Sequence, residues 1–248
     1  MLFRSLIDIG IHDLRGFTQD RHRTVDDRPF GGGEGMVLKP EPIFECLESM
    51  AVAPRSDRLG SDARETVVLL SPQGQMFTQA VAQELVGRER IVMICGRYEG
   101  VDERVSEHLA DREISVGDFV LSGGELGAAI IVDTVSRLVP GALGNAASAQ
   151  QESFTATAEA RERGENEPPS STCGSGGLLD YPHYTRPAEF RGMPVLEVLM
   201  NGNHDEIRRW RRRKALEKTL TNRPDLLRGV ELSKEDRKIL EEIQERGS

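Results

Sequence analysis

The sequence predicts an α/β domain built on a mainly parallel sheet with helices on both faces, followed by a small helical domain. Three apolar runs carry the first part of that expectation: Val67-Val68-Leu69-Leu70, Ile91-Val92-Met93-Ile94-Cys95 and Ile114-Ser115-Val116. Each runs into a glycine-bracketed turn and then a helical pattern. Continuous apolar strands suit a sheet buried on both faces, and strand–helix alternation suits parallel pairing. The second observation is a change of composition over residues 155–177, where polar and small residues leave almost nothing to bury. Ordering such a segment costs entropy without compensation, so it predicts a flexible linker between a domain at 1–154 and one at 178–248. Third, the stretch beyond the linker has helix signals, short loops and no strand pattern.

Taken in order, Leu6-Ile7-Asp8-Ile9-Gly10-Ile11 alternates, with Ile7, Ile9 and Ile11 on one face, and predicts a strand. Pro29-Phe30-Gly31-Gly32-Gly33-Glu34-Gly35 excludes helix and regular strand. Pro42 to Met50 predicts a helix with proline in its first turn. Ala53 to Asp62 reads as a polar surface loop. The first apolar strand runs into Ser71-Pro72-Gln73-Gly74 and a helix from Met76 to Val86. The second runs into Gly96-Arg97-Tyr98-Glu99-Gly100 and a helix from Val101 to Leu109. The third runs into Gly117-Asp118-Phe119-Val120-Leu121-Ser122-Gly123-Gly124 and an apolar helix from Glu125 to Val139, stopped by Pro140-Gly141. In the second domain, Asn203 with Glu206 resembles a capping box that opens a helix to about Leu220. Ser233 with Asp236 opens a last helix, whose Ile239, Leu240 and Ile243 share one side.

Hydrophobic residues make up 38% of the chain and charged residues 29%, ordinary values for a soluble protein. No apolar run approaches the roughly 20 residues that a membrane-spanning helix needs. The stretch from Met1 to Asp8 lacks the apolar core of a signal peptide. The cysteines, Cys46, Cys95 and Cys173, are odd in number and widely spaced, which argues against a disulfide framework or a metal-ligand pair. These features predict a reducing, cytoplasmic setting. The net charge of −9 would by itself repel nucleic acid. From His204 to Arg223, however, eight basic side chains stand against three acidic ones. Such a window is a footprint for a polyanion, and a solvated helix face fits it too.

In an open α/β sheet, ligands sit beyond the carboxyl ends of the strands. Three successive turns there, with glycines that remove a blocking Cβ, point to a cleft made largely of main chain. Ordinary strand–helix connections would use the same glycines. Neither G-x-x-x-x-G-K-[ST] nor a G-x-G-x-x-G opening the first helix is present, so a nucleotide phosphate is not indicated. Backbone groups with Glu99 and Asp118 suit a ligand with a cationic part and an adenine-like edge. His22, His108, His183 and His204 show no metal-ligand spacing, and the Gly-Asp-Phe turn offers no serine or cysteine nucleophile.

Several ordered motifs closely resemble bacterial tRNA (guanine-N1)-methyltransferases of the TrmD type. They are Arg21-His22-Arg23-Thr24-Val25-Asp26-Asp27-Arg28-Pro29-Phe30-Gly31-Gly32-Gly33, the three turns above, Pro182-His183-Tyr184-Thr185-Arg186-Pro187, and Gly202-Asn203-His204-Asp205-Glu206-Ile207-Arg208-Arg209-Trp210-Arg211. The resemblance covers nearly the whole chain apart from the linker. It implies a SPOUT-type fold with a deep trefoil knot, a rare exception to the usual rules of connection. It also implies S-adenosylmethionine bound bent in the knot, an obligate homodimer with the active site between subunits, and an association with Mg²⁺. The substrate it implies is tRNA with guanosine at position 37, next to the anticodon and preceded by another guanosine.

By the same resemblance, Ser71 and Pro72, then Gly96, Tyr98, Glu99 and Gly100, then Val116, Gly117, Phe119, Val120 and Leu121 line the cofactor pocket. Asp26, Arg28, Arg186, Arg208, Arg209 and Arg212 meet the tRNA, and Arg137 the target base. The family's general base is the aspartate of an Asp-Ser-Phe triplet, which here reads Glu152-Ser153-Phe154. A carboxylate within reach of guanine N1 can take its proton as the methyl arrives, and an arginine can stabilise charge growing on the neighbouring carbonyl oxygen. Three departures stand out. Glu152 carries one methylene more than aspartate, a shift of about 1 Å at the carboxyl group. The family's first strand and helix, which precede the stretch matching Leu6–Ile11, have no counterpart in the sequence as given. The linker is longer than is usual in the family. The alternative reading, from another class, is a tRNA-binding relic without catalysis.

Overall fold

One strand supplies both faces of the sheet. In β3 (Glu65–Met76) the run from Thr66 to Leu70 is buried throughout. Val67 and Leu69 pack with Ile43 and Leu47 of α1 (Pro40–Ser49), Ile94 of β4 (Arg90–Cys95) and Val105 of α4 (Glu103–His108). Val68 and Leu70 pack on the other side with Val81 and Leu85 of α3 (Gln79–Val86) and Ile131 and Val135 of α5 (Glu125–Ser136). The alternation of a strand across its sheet thus buries apolar side chains on two faces. The computed structural model describes residues 6–60, 63–142, 152–154 and 176–247. The chain divides into two units, Met1–Leu143 and Gly144–Ser248.

The first unit holds the expected parallel sheet, with β3 between β4 and β5 (Arg112–Ser115). Leu70 pairs with Cys95 on one side and Ile114 on the other. One expectation is corrected here. The chain does not leave the sheet at Ser71, because Gln75 pairs with Ile114 again and Met76 with Ser115. Ser71-Pro72-Gln73-Gly74 loops out as a wide bulge within β3. Pro72 has no N–H to give a ladder, and Gly74 passes so near β5 that a Cβ there would lie 2.4 Å from the Ile114 nitrogen. Helix α3 consequently starts later than predicted, at Gln79, capped by Thr78, whose hydroxyl accepts the Val81 N–H. The Asp102 side chain caps α4 in the same manner. Helix α5 ends at Ser136, and beyond Arg137 the chain closes with tighter bonds, Leu138 N–H to Val135 and Val139 N–H to Ser136.

Two further expectations change. Leu6–Ile11 forms no strand and pairs with none of the described strands; Ile9 and Ile11 are 61% and 93% exposed. Alternation says which side chains would share a face, but a strand exists only with a ladder partner. The stretch from Ala53 to Asp62 is not merely a surface loop. It contains α2 (Arg55–Arg58), and Arg58 is buried against Asp111, with Nε at 2.9 Å and Nη2 at 3.2 Å from its two oxygens.

In the second unit, α6 (His204–Asn222) starts where Asn203 accepts the Glu206 N–H at 3.3 Å. Before α7 (Lys234–Gly247), Ser233 N–H donates to Asp236 at 3.0 Å and Asp236 N–H returns to the Ser233 hydroxyl at 3.1 Å. This is the reciprocal capping box read from the sequence. Asp236 also holds Arg212, with Nε at 2.6 Å and Nη2 at 2.9 Å. Burial alone would raise its pKa, but these hydrogen bonds keep the carboxyl below its ordinary value. The second part does contain strands, contrary to expectation: β6 (Glu189–Phe190) and β7 (Met193–Pro194) form a hairpin. Arg191 and Gly192 at its tip have φ of 53° and 74°, as a type I′ turn requires. Two-residue strands are too short to show alternation. The predicted linker lies outside the described residues except for Gly176 and Gly177.

Candidate active site

The three glycine turns meet at the carboxyl edge of the sheet. Gly124 N–H donates to the Gly96 carbonyl at 2.9 Å, and Arg97 bridges to Gly123 across the second and third turns. The Arg97 guanidinium then pairs with Glu125 at 2.8 Å. A Cβ on Gly124 would lie 2.9 Å from the Cys95 Cα, so this approach requires glycine. The Ser71–Gly74 bulge comes to the same edge through the Leu70 and Gln75 pairing with Ile114. Ser71 and Val116 are half-buried, while Pro72 is exposed.

Around these turns large side chains stand uncovered. Tyr98 (φ 59°) is 61% exposed, Phe119 55% and Val120 82%. Gly100 (φ 113°) has open space where a side chain would project. A recess of about 490 Å³ is lined by Phe119, Leu121, Leu126, Ile130, Asp133 and Thr134. Glu99 is exposed, and its N–H donates to Met36 at 3.1 Å, which ties the second turn to the glycine-rich loop. That loop joins β1 (Asp26–Asp27) to β2 (Val37–Leu38), and Asp26 pairs with Leu38. Asp26 and exposed Arg28 therefore stand on a hairpin fastened to the Glu99 turn. Arg137 caps the far end of α5 and is half-buried.

The remaining candidates belong to the second unit. Glu152 is half-buried. Its neighbours fasten the triplet there: the Ser153 hydroxyl accepts the Asp180 N–H at 2.9 Å, and Phe154 N–H donates to Leu178 at 3.0 Å. The Arg223 guanidinium lies over the Phe154 ring at 5.9 Å. Arg186 is exposed. Arg208 and Arg209 make long contacts to Glu235, at 3.9 and 4.0 Å, and Arg208 a further one to Asp205 at 4.0 Å, whereas Arg212 is engaged with Asp236. The three turns and the Asp26–Arg28 hairpin are joined in the first unit, which also holds Arg137 at the far end of α5; the Glu152 triplet, Arg186 and the arginines of α6 belong to the second.

A family model described as tRNA (Guanine-1)-methyltransferase TrmD matches residues 2–229. The chain belongs to this family. A protein named tRNA (guanine-N(1)-)-methyltransferase from Koribacter versatilis is 69% identical over 240 residues, covering 97% of this chain and 88% of the relative. A protein of the same name from Dehalococcoides mccartyi is 48% identical, covering 97% and 86%. Another, from Geobacter metallireducens, is 47% identical, covering 99% and 89%.

Burial, and secondarily the Glu125 carboxylate, push the Cys95 thiol up to about 11, so a thiolate nucleophile is not populated at neutral pH. Among the described residues, no group of three or more His, Cys, Asp or Glu side chains is placed to hold a metal ion, and no helix is long and apolar enough to cross a membrane. Sequence reasoning missed the packing of Gly35, read there only as part of a stretch that excludes helix and regular strand, and the Arg97–Glu125 pair that locks two turns together.

Proposed function

We propose that this protein transfers a methyl group from S-adenosylmethionine to N1 of guanosine 37 in tRNA, as a cytoplasmic homodimer with a SPOUT-type knot. The carrying observation is the convergence of three main-chain turns in a chain 69% identical to a protein named for guanine-N1 methylation of tRNA. Family membership over residues 2–229 favours catalysis over a non-catalytic relic.

The residues at the turns fit the donor. The space over Gly100, the exposed Tyr98, Phe119 and Val120 and the half-buried Leu121 suit an adenosine, and Glu99 and Asp118 offset a positive charge. S-adenosylmethionine supplies an electrophilic methyl on a sulfonium. Ser71, Pro72, Gly96, Val116 and Gly117 complete the main-chain wall. Glu152 takes the proton from guanine N1, and Arg137 offsets the charge that develops on the guanine oxygen. Exposed Leu126 and Ile130 on α5, beside Phe119 and Val120, form an apolar face that supports dimer formation. The Mg²⁺ association is carried over from the family alone.

The test is methyl transfer to tRNA transcripts with guanosine or adenosine at position 37, with the product mapped. Label at N1 of guanosine 37 only is expected; a soluble dimer giving none above background refutes the reading. The tRNA meets Asp26, Arg28 and Arg186 and the basic face of α6. Replacing Arg208 and Arg209 by alanine should weaken tRNA binding about tenfold and lower the salt dependence by about one unit of slope for each phosphate no longer neutralised. Affinity for S-adenosylmethionine, measured by calorimetry, should stay unchanged. Arg212, also assigned to tRNA, is left intact in this test, because its loss would strand Asp236.

A further inference from the structure

Gly35 has φ +86°, and a Cβ built on it would lie 2.4 Å from Glu99 Oε1, 2.6 Å from Cγ and 2.9 Å from Cδ. The space a side chain would need is thus already filled by the Glu99 side chain. The backbone cannot yield to make room. Glu99 N–H donates to Met36 at 3.1 Å, Leu38 N–H to Gly100 at 3.0 Å, and Asp102 N–H to Leu38 at 2.9 Å. These bonds clamp the chain that follows Gly35 against the second turn. The Glu99 side chain, by contrast, is exposed, so it is the part that gives way. A larger residue at position 35 therefore costs little fold and moves the carboxylate.

We infer that Gly35 is a positioning residue for the donor site: its missing Cβ sets where the Glu99 carboxylate stands. This rests on the donor reading above, in which Glu99 offsets the cationic end of S-adenosylmethionine. Gly32 provides the control. It too has positive φ, +80°, but a Cβ there meets nothing within 4 Å. Alanine at either position suffers the same backbone strain, and only alanine at 35 displaces Glu99.

The experiment is calorimetry of S-adenosylmethionine with the full-length protein, run beside thermal melting. Gly35→Ala should weaken binding about tenfold, while Gly32→Ala binds as the unaltered protein does. In a Glu99→Ala background, Gly35→Ala should add nothing further, as expected when one residue acts through another. Glu99→Asp, one methylene shorter, should recover part of the loss in Gly35→Ala. Equal binding by Gly35→Ala and Gly32→Ala overturns the inference, as does a Gly35→Ala loss undiminished in the Glu99→Ala background. No binding heat from the unaltered protein would overturn the donor reading, and this inference with it.

Discussion

Glu152→Gln is expected to lower the turnover of methyl transfer about 10²–10⁴-fold, the range that a positioned general base contributes. Guanine N1 carries a proton in the neutral base, and its lone pair is available to the methyl carbon only as that proton departs. A glutamine has the size of the glutamate and can hydrogen-bond to N1, but it cannot accept the proton. Binding of S-adenosylmethionine should be unchanged, because the donor turns lie in the first unit and Glu152 in the second. Two accompanying measurements distinguish lost base chemistry from lost geometry. Glu152→Asp keeps the carboxylate and shortens its reach by about 1 Å, so its loss should stay within about 100-fold. The residual rate of Glu152→Gln should climb with pH, as hydroxide takes over removal of the N1 proton. A Glu152→Gln protein with full turnover would remove Glu152 from the base role.

How much of this was legible in the residues depends on whether the determinant was local. Asn203, Ser233 and Asp236 announce their helix starts because a cap involves residues three apart. The buried run Val67–Leu70 announces a central strand because burial on both faces leaves no polar position. The alternation of Leu6–Ile11 is just as local, yet a ladder also needs a second strand, and the described residues pair none with it. Ser71–Gly74 looks like a turn, and only the later pairing of Gln75 with Ile114 makes it a bulge. The three turns were visible as glycine patterns. Their fastening was not: the Arg97–Glu125 pair spans 28 positions, and Gly35 lies far in sequence from the Glu99 it accommodates. The Glu152 triplet was legible only through family resemblance. Its anchoring to Leu178 and Asp180 bridges a segment whose composition gives no hint of that contact.

Arg58 is the case where the sequence misleads most, and it carries the second large effect. A polar stretch around an arginine suggests a solvated loop, but the Arg58 and Asp111 side chains are only 2% and 6% exposed. Every guanidinium nitrogen is engaged: together they meet both Asp111 oxygens and the carbonyls of Ala53 and Leu109. Asp111 in turn accepts the Val67 N–H at 2.8 Å, at the buried centre of β3. Asp111→Ala leaves a buried cation without its counter-charge and a buried backbone donor without its acceptor. Breaking such a pair from one side costs about 3–5 kcal/mol, and the orphaned N–H makes the upper part of that range the expected one. For a unit of this size the melting midpoint should fall by roughly 10–20 °C. The exposed Arg64–Glu89 pair, 80% and 65% exposed, is the comparison: Glu89→Ala should leave the midpoint where it is. Removing both charges, as Arg58→Met with Asp111→Leu, should recover much of the loss, since a buried ion pair is costly to halve and far less costly to replace whole. The recovery should stop short of complete, because the Val67 N–H still lacks an acceptor. A midpoint for Asp111→Ala within about 2 °C of the unaltered protein would mean that water reaches Arg58 and that the bridge holds nothing.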